Sequence, residues 1–418
     1  MLTTHPEYRW YRDSIYIARS LIIANLIFLL FSPPLTNVAE GVLYLMVLTI
    51  PRVRRQVLSG LSQPMAAMCL LFGLSIIVAS FYGPAPRAEA ISMMTGWRRL
   101  LLLPIAVGLF NEDIWKNRTL WILIIVLDVC AVVSYGFFFA HYKLPQYGPY
   151  VTVRNYVTQS MTFSVAAFSA AMLLRQPNAY STKIRLFLIG SIALLAVNAL
   201  TLMTGRSGYI VLGICGAAYA FSYVHGKKFD LKHLLVIALP VVIVCAAIAA
   251  IPTARHRVER AVHEGETYQT ADKLSSIGIR LVFLKNTLKI IEHHPIFGVG
   301  TGGFKTAYAA EVGNEAGWEA TITTDPHNQF LKTFAEQGII GFAIFIAFIA
   351  SAFRQKVAEP YRILGLGVLC AWCGTSLFNS HFSTFSEGRF IFVWCGVMLA
   401  ASATKIPGAT RNGSTATP

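Results

Sequence analysis

Residues 119–140 read TLWILIIVLDVCAVVSYGFFFA, 22 residues with a single charge, Asp128. A helix rises about 1.5 Å per residue, so this stretch is long enough to cross the roughly 30 Å hydrocarbon core of a bilayer. It has neither the polar face of a soluble amphipathic helix nor the alternation of a half-buried strand. Comparable runs recur at 15–32, 35–50, 65–82, 91–110, 155–174, 184–204, 208–225, 231–251, 330–353, 361–378 and 389–404. The pattern predicts an all-α, polytopic integral membrane protein with about 12 transmembrane helices. Composition agrees, with 55% of the 418 residues hydrophobic and only 13% charged. Soluble globular chains carry about 25% charged residues, so an ordinary soluble enzyme is excluded.

The net charge is +15, and its placement favours lipid and phosphate over nucleic acid. With the N-terminus inside, Arg52, Arg54, Arg55, Lys116, Arg118, Arg175, Lys183, Arg185, Lys227, Lys228, Lys232, Arg354, Lys356, Arg362, Lys405 and Arg411 fall on the cytoplasmic side. Short loops on the other side hold only Arg87, Lys143, Arg154, Arg206 and Arg389. That asymmetry satisfies the positive-inside rule and puts both termini in the cytoplasm. The chain then divides into residues 1–251 with transmembrane helices 1–9, a large outer loop at 252–329, residues 330–404 with helices 10–12, and a disordered cytoplasmic tail at 405–418. Within the loop, Leu274, Ile277, Leu281, Leu284, Leu288 and Ile291 recur at helical spacing and predict a helix over 272–294, ended by Pro295.

Ionisable or polar groups inside spans are costly unless paired, which singles out Glu40, Arg98, Arg99, Asp128, Asn198 and Glu336. The seven cysteines all lie in apolar runs and read as small buried hydrophobes. Gly298, Gly300 and Gly303 spell G-x-G-x-x-G, but no βαβ context surrounds them, so a tight glycine turn is expected rather than a nucleotide site. Glu311, Glu315 and Glu319 read as solvated carboxylates rather than a glycosidase pair. No metal-ligand motif is present in the sequence. The outer arginines are more informative. Arg206 sits in a very short turn between two spans, Arg280 at the edge of the apolar stripe of the loop helix, and Arg154 just before the sixth span. A guanidinium forks onto phosphate oxygens, so their convergence would hold a lipid-linked phosphate or pyrophosphate. His327, after Asp325-Pro326, is expected in the first turn of the tenth span, where a neutral imidazole can take a hydroxyl proton.

Several motifs together resemble the bacterial O-antigen ligase superfamily, which includes O-antigen polymerases and protein O-oligosaccharyltransferases. They are Thr204-Gly205-Arg206-Ser207-Gly208; Arg280 with His294-Pro295-Ile296-Phe297-Gly298-Val299-Gly300; Asp325-Pro326-His327-Asn328 with Glu336-Gln337-Gly338-Ile339-Ile340-Gly341; and Asn379-Ser380-His381. The order Arg206-Ser207 reverses that of many relatives. The resemblance implies a multi-pass protein of the bacterial inner membrane with a periplasmic active site, built around the 252–329 loop. It implies a metal-independent glycosyltransferase without cofactors, moving a glycan from undecaprenyl pyrophosphate to a sugar hydroxyl of lipid A-core in lipopolysaccharide assembly. Arg206 and Arg280 match arginines tied to pyrophosphate and His327 matches the base, while Arg154 is expected as a third substrate-binding arginine from its position alone. Polymerase or protein O-oligosaccharyltransferase is the alternative. A lipid or glycan transporter is a more distant one, since transporters show internal repeats and broken midplane helices whereas polarity here gathers in one outer loop.

Overall fold

A backbone that leaves water must satisfy its own N–H and C=O groups, which is why each apolar run closes into a helix. The computed structural model describes residues 6–144, 148–176, 179–203, 205–226, 230–266, 276–313 and 321–402. Its first helices are α1 (Pro6–Phe31), α2 (Pro33–Thr49), α3 (Pro51–Gly60), α4 (Pro64–Ala79) and α5 (Arg87–Gly96). A 3-10 turn (Trp97–Leu101) leads to α6 (Leu102–Leu109), α7 (Asp113–Phe139), α8 (Tyr156–Leu174), α9 (Thr182–Thr201), α10 (Arg206–Val224) and α11 (Leu231–Ala250). There follow α12 (Pro252–Glu266), α13 (Ser276–His293), α14 (Phe304–Glu311), α15 (Gln329–Ala352), α16 (Tyr361–Thr375) and α17 (Phe385–Met398). Among the described residues the only strands are Lys143–Leu144 and Gly148–Pro149, a short antiparallel pair. The chain is a nearly all-helical membrane protein.

Every expected span contains a helix. Eight of the described helices are long and apolar enough to cross a bilayer, or nine if the bent pair α2 and α3 is one span; α4 and α16 are shorter apolar helices. Three features add to the expectations. The second run ends at Thr49, and the chain turns by 96° at Pro51 into α3. There Val53, Val57 and Gly60 face inward, and a Cβ on Gly60 would lie 2.6 Å from the Gly108 Cα. The 91–110 run tightens into the 3-10 turn at Trp97–Leu101, where Arg98 donates to Asn37 of α2 and Arg99 to the carbonyls of Ser383 and Thr384 just ahead of α17. Among its described residues the outer segment carries three helices, α12, α13 and α14. The expected helix at 272–294 is α13; residues 272–275, like the 405–418 tail, lie outside the described residues.

The main core surrounds α17, whose residues from Ser386 to Met398 are all buried, with Trp372, Phe390 and Trp394 stacked in sequence. By contrast α11 buries no residue and packs chiefly along α10. Of the cysteines, Cys69, Cys130, Cys215 and Cys395 are buried as expected, but Cys245 and Cys370 face outward from their helices and Cys373 is half-buried. Several polar groups in the interior find partners on neighbouring helices. Asp128 accepts from the Ser191 hydroxyl at 2.5 Å, the Asn198 amide donates to Ser134 at 3.0 Å, and Lys116 donates to the Ala400 carbonyl at 2.7 Å. Arg389, expected in an outer loop, instead lies within α17, 2% exposed and paired with Glu40. The apolar run beginning at its position hid the fact that the helix starts four residues earlier.

A smaller core joins the outer segment to the helices through Phe283, Ile290, Val299, Phe304, Tyr308 and Ala335. Its seam explains two glycine motifs at once. Helix α15 is broken at Gly338, where φ is +61°, and the carbonyls freed there accept the N–H groups of Val299 (onto Ala335, 2.9 Å) and Gly300 (onto Glu336, 2.8 Å). Ile339 returns an N–H to Pro295 at 2.8 Å. A Cβ on Gly338 would sit 2.1 Å from the Ile296 oxygen, and one on Gly298 2.5 Å from the Glu336 carbonyl carbon. Only glycine allows both the approach and the positive φ. The spans are thus not all continuous, and this break is filled by the outer segment.

Candidate active site

The site is built where the outer segment returns to α15. Asp325 folds the approach: its Oδ1 accepts the His327 N–H at 2.8 Å and the Ser380 hydroxyl at 2.6 Å, while Oδ2 lies 3.5 Å from Lys332 Nζ. Burial pushes the Asp325 carboxyl up, yet Lys332, Ser380 and the His327 N–H together hold it below the ordinary value. Asn328 caps α15, accepting from Leu331 N–H at 3.1 Å. His327 therefore stands before the cap, not in the first turn as expected, with φ at +55°. A non-glycine residue in that region is held there by its surroundings, here the Asp325 turn on one side and the cap on the other.

The imidazole stacks on Phe283 with ring centres 6.2 Å apart. Its Nδ1 lies 3.2 Å from the Asn379 side-chain oxygen. An amide oxygen can only accept, so a neutral imidazole making this contact carries its proton on Nδ1 and leaves the lone pair on Nε2. That is the tautomer a general base requires. Asn379 itself is held by its backbone, whose carbonyl accepts the Gln329 N–H at 3.2 Å.

Arg206 is the first residue of α10, and Arg280 lies in the first half of α13. Both line one cavity of about 530 Å³ together with His327 and Asn379. Ile210, Ile277, Leu281, Leu284, Leu377 and Phe378 supply its apolar wall. Neither arginine forms an ion pair among the described residues. Burial, and next the nearby Arg206, push the Arg280 guanidinium below the usual arginine value, which Tyr156 and Glu264 partly offset. The positive end of α10 opens on the same space through Gly205 and Ser207, adding to its attraction for an anion. Two cations, a helix N-terminus and a base-competent imidazole therefore share one partly apolar cavity.

Arg154 is not part of it. Its N–H donates to the Leu30 carbonyl at 2.8 Å and its guanidinium lies 4.5 Å from the Phe385 ring centre, so it is committed to α1 and α17. Glu311 is bonded to His293 at 2.8 Å, while Glu315 and Glu319 lie outside the described residues. The positioning roles of Asp325 and Asn379 were not legible from spacing, although both stand in motifs already singled out. His381, two residues beyond Asn379, is 2% exposed and burial holds its ring in the neutral form.

Helices long and apolar enough to cross a membrane thus meet a basic, half-apolar cavity at the foot of the outer segment, an arrangement whose chemistry suits an anionic group carrying an apolar chain. Residues 191–346 match the model of the O-antigen ligase family. The resemblance drawn from the motifs thus holds over the segment that carries Arg206, Arg280 and His327; Arg154 and Asn379 lie outside it. The chain is also 25% identical over 259 residues to an uncharacterized protein of Haemophilus influenzae, covering 60% of this chain and 63% of that one.

Proposed function

We propose that the protein is an inverting O-antigen ligase, transferring glycan from an undecaprenyl-pyrophosphate donor to a sugar hydroxyl of lipid A-core at the periplasmic face of the bacterial inner membrane. Twelve spans with both termini cytoplasmic complete this reading. The observation that carries it is the meeting of Arg206, Arg280 and His327 in one cavity whose other wall is apolar. In this reading the two guanidiniums fork onto the donor pyrophosphate, and the polyprenyl chain leaves across Leu281, Leu284, Leu377 and Phe378 toward lipid. His327 Nε2 takes the proton of the acceptor hydroxyl, whose oxygen attacks the anomeric carbon from the face opposite the pyrophosphate. The C–O bond to the pyrophosphate breaks, its electron pair leaves with undecaprenyl pyrophosphate, and the anomeric configuration inverts. Arginines facing the developing charge do the work of a general acid, so neither a metal nor a second carboxylate is required by the step.

The test is transfer by the purified protein in detergent, with lipid A-core and an undecaprenyl-linked glycan offered separately as acceptors. Product on lipid A-core alone is expected. Elongation of the lipid-linked glycan alone would make the protein an O-antigen polymerase, and no product with either acceptor would sink the reading.

A further inference from the structure

A second cavity of about 360 Å³ lies across the Asp325 loop from the first. Its wall includes Glu336, which is 2% exposed. The Glu336 carboxylate accepts the Gly302 N–H, yet its Oε1 has no hydrogen-bond partner. A buried carboxylate oxygen left without a donor is costly, and here it borders space large enough to admit one. The other charged groups of the cavity are already engaged. Arg99 gives its guanidinium to the carbonyls of Gly96, Ser383 and Thr384, and Lys305 pairs with Glu89 at 3.4 Å. What remains is an acceptor seeking an O–H or N–H donor, beside the hydroxyls of Ser92 and Thr324 and the Phe304 ring. An anion is disfavoured by the carboxylate, whereas a neutral polyhydroxylated group satisfies it.

The two cavities are neighbours through the chain. Thr324 lines this one and His327 the other, a separation of three residues that spans at most about 10 Å. Lys332 and Glu336 stand one turn apart on α15, with Lys332 already holding Asp325. Building on the transferase reading above, we propose that the Glu336 cavity is a glycan subsite, holding a sugar residue of one substrate that does not itself react while its neighbour is presented at His327. The shared chemistry is a pyranose hydroxyl donating to Glu336 Oε1; the source is either the acceptor core or the donor glycan.

Binding of free oligosaccharides to the purified full-length protein tests this without requiring transfer. The probes are core oligosaccharide released from lipopolysaccharide by mild acid, and O-antigen oligosaccharide without lipid. One of them is expected to bind, and which one identifies the source. Ser92→Trp, at an exposed position bordering the cavity, should fill it and weaken that binding about tenfold or more. Glu336→Gln should weaken it several-fold, since the amide replaces one of the two carboxyl oxygens by an NH2 group that can only donate. Arg280→Ala should leave it within about twofold. No binding of either probe, or equal binding by wild type and Ser92→Trp, overturns the subsite. Glycan binding lost in Ser92→Trp without transfer by the wild type would uphold the subsite and overturn the transferase reading; transfer with unchanged KM values in both variants would do the reverse.

Discussion

Arg389 and Arg280 are both guanidiniums in a mostly apolar chain, and their surroundings treat them oppositely. Arg389 is fully buried and answered on every side: Glu40 takes its Nε and, at 3.3 Å, its Nη2, while Asn37 and the Phe385 carbonyl take further N–H groups. Glu40 also has Arg98 3.6 Å away, and the neighbouring Glu387 accepts from Thr158 at 2.5 Å. Around Arg280 the balance is only partial, through Tyr156 and Glu264. Its nearest strong influence after burial is another cation, Arg206, and neither has an ion-pair partner among the described residues. A charge compensated within the protein holds helices together; a charge left uncompensated beside a cavity is held ready for a ligand. Substitutions around Arg280 should therefore lower activity and spare stability, and substitutions around Arg389 should lower stability first.

The largest effect is expected at His327. Positioned acid-base groups contribute about 100-fold to 10,000-fold, so His327→Ala should lower transfer by that range with its unfolding midpoint and donor affinity nearly unchanged. Near-normal turnover with saturating acceptor would remove the imidazole from the chemistry. Next is Arg389→Leu, which leaves Glu40 in the core with Arg98, 3.6 Å away and half-exposed, as its remaining cation. Breaking a buried pair from one side costs about 3–5 kcal/mol, read as lost abundance and a lower unfolding midpoint. Adding Glu40→Leu should recover much of it, because removing both charges also removes the desolvation cost. Normal folding of Arg389→Leu alone would mean that the two clusters do not differ as described.

Arg280→Ala is expected to cost transfer about 100-fold to 1,000-fold, the scale of removing one preorganised donor from a developing charge, at unchanged protein abundance. Arg280→Lys should fall between, since lysine keeps the charge and loses the fork. Full activity of Arg280→Ala would show that the cavity does not use its charge.

What the sequence revealed and what it hid follow from the range of the interactions. The spans were legible because each apolar run is local, and Arg206, Arg280 and His327 were legible because a charge at the edge of an apolar run has few places to go. Arg389 was misplaced because its partner, Glu40, is 349 residues away. Arg154 resembled the other outer arginines until its Phe385 contact was visible. The glycines of 298–303 suggested a turn, but only the fold shows that this turn fills a break in α15 at Gly338. The same holds for Asn379, which reaches His327 across 52 residues of chain.

Asn379 gives the smallest effect and the sharpest one. Its oxygen at 3.2 Å from Nδ1 fixes which ring nitrogen carries the proton, and a hydrogen bond of this kind is worth about 0.5–1.5 kcal/mol net. Asn379→Ala should therefore lower kcat only about twofold to tenfold, with donor KM unchanged because the arginines are untouched. A structural role for Asn379 would predict the same loss, so Asn379→Asp separates the two. A carboxylate at the same place still accepts from Nδ1–H, and it stabilises the protonated ring, raising the imidazole pKa. A base must be neutral to act, so the acid limb of the activity profile should move to higher pH in Asn379→Asp while activity above that limb is kept. An unmoved limb with full activity would mean that the contact with His327 does not set the protonation of the base.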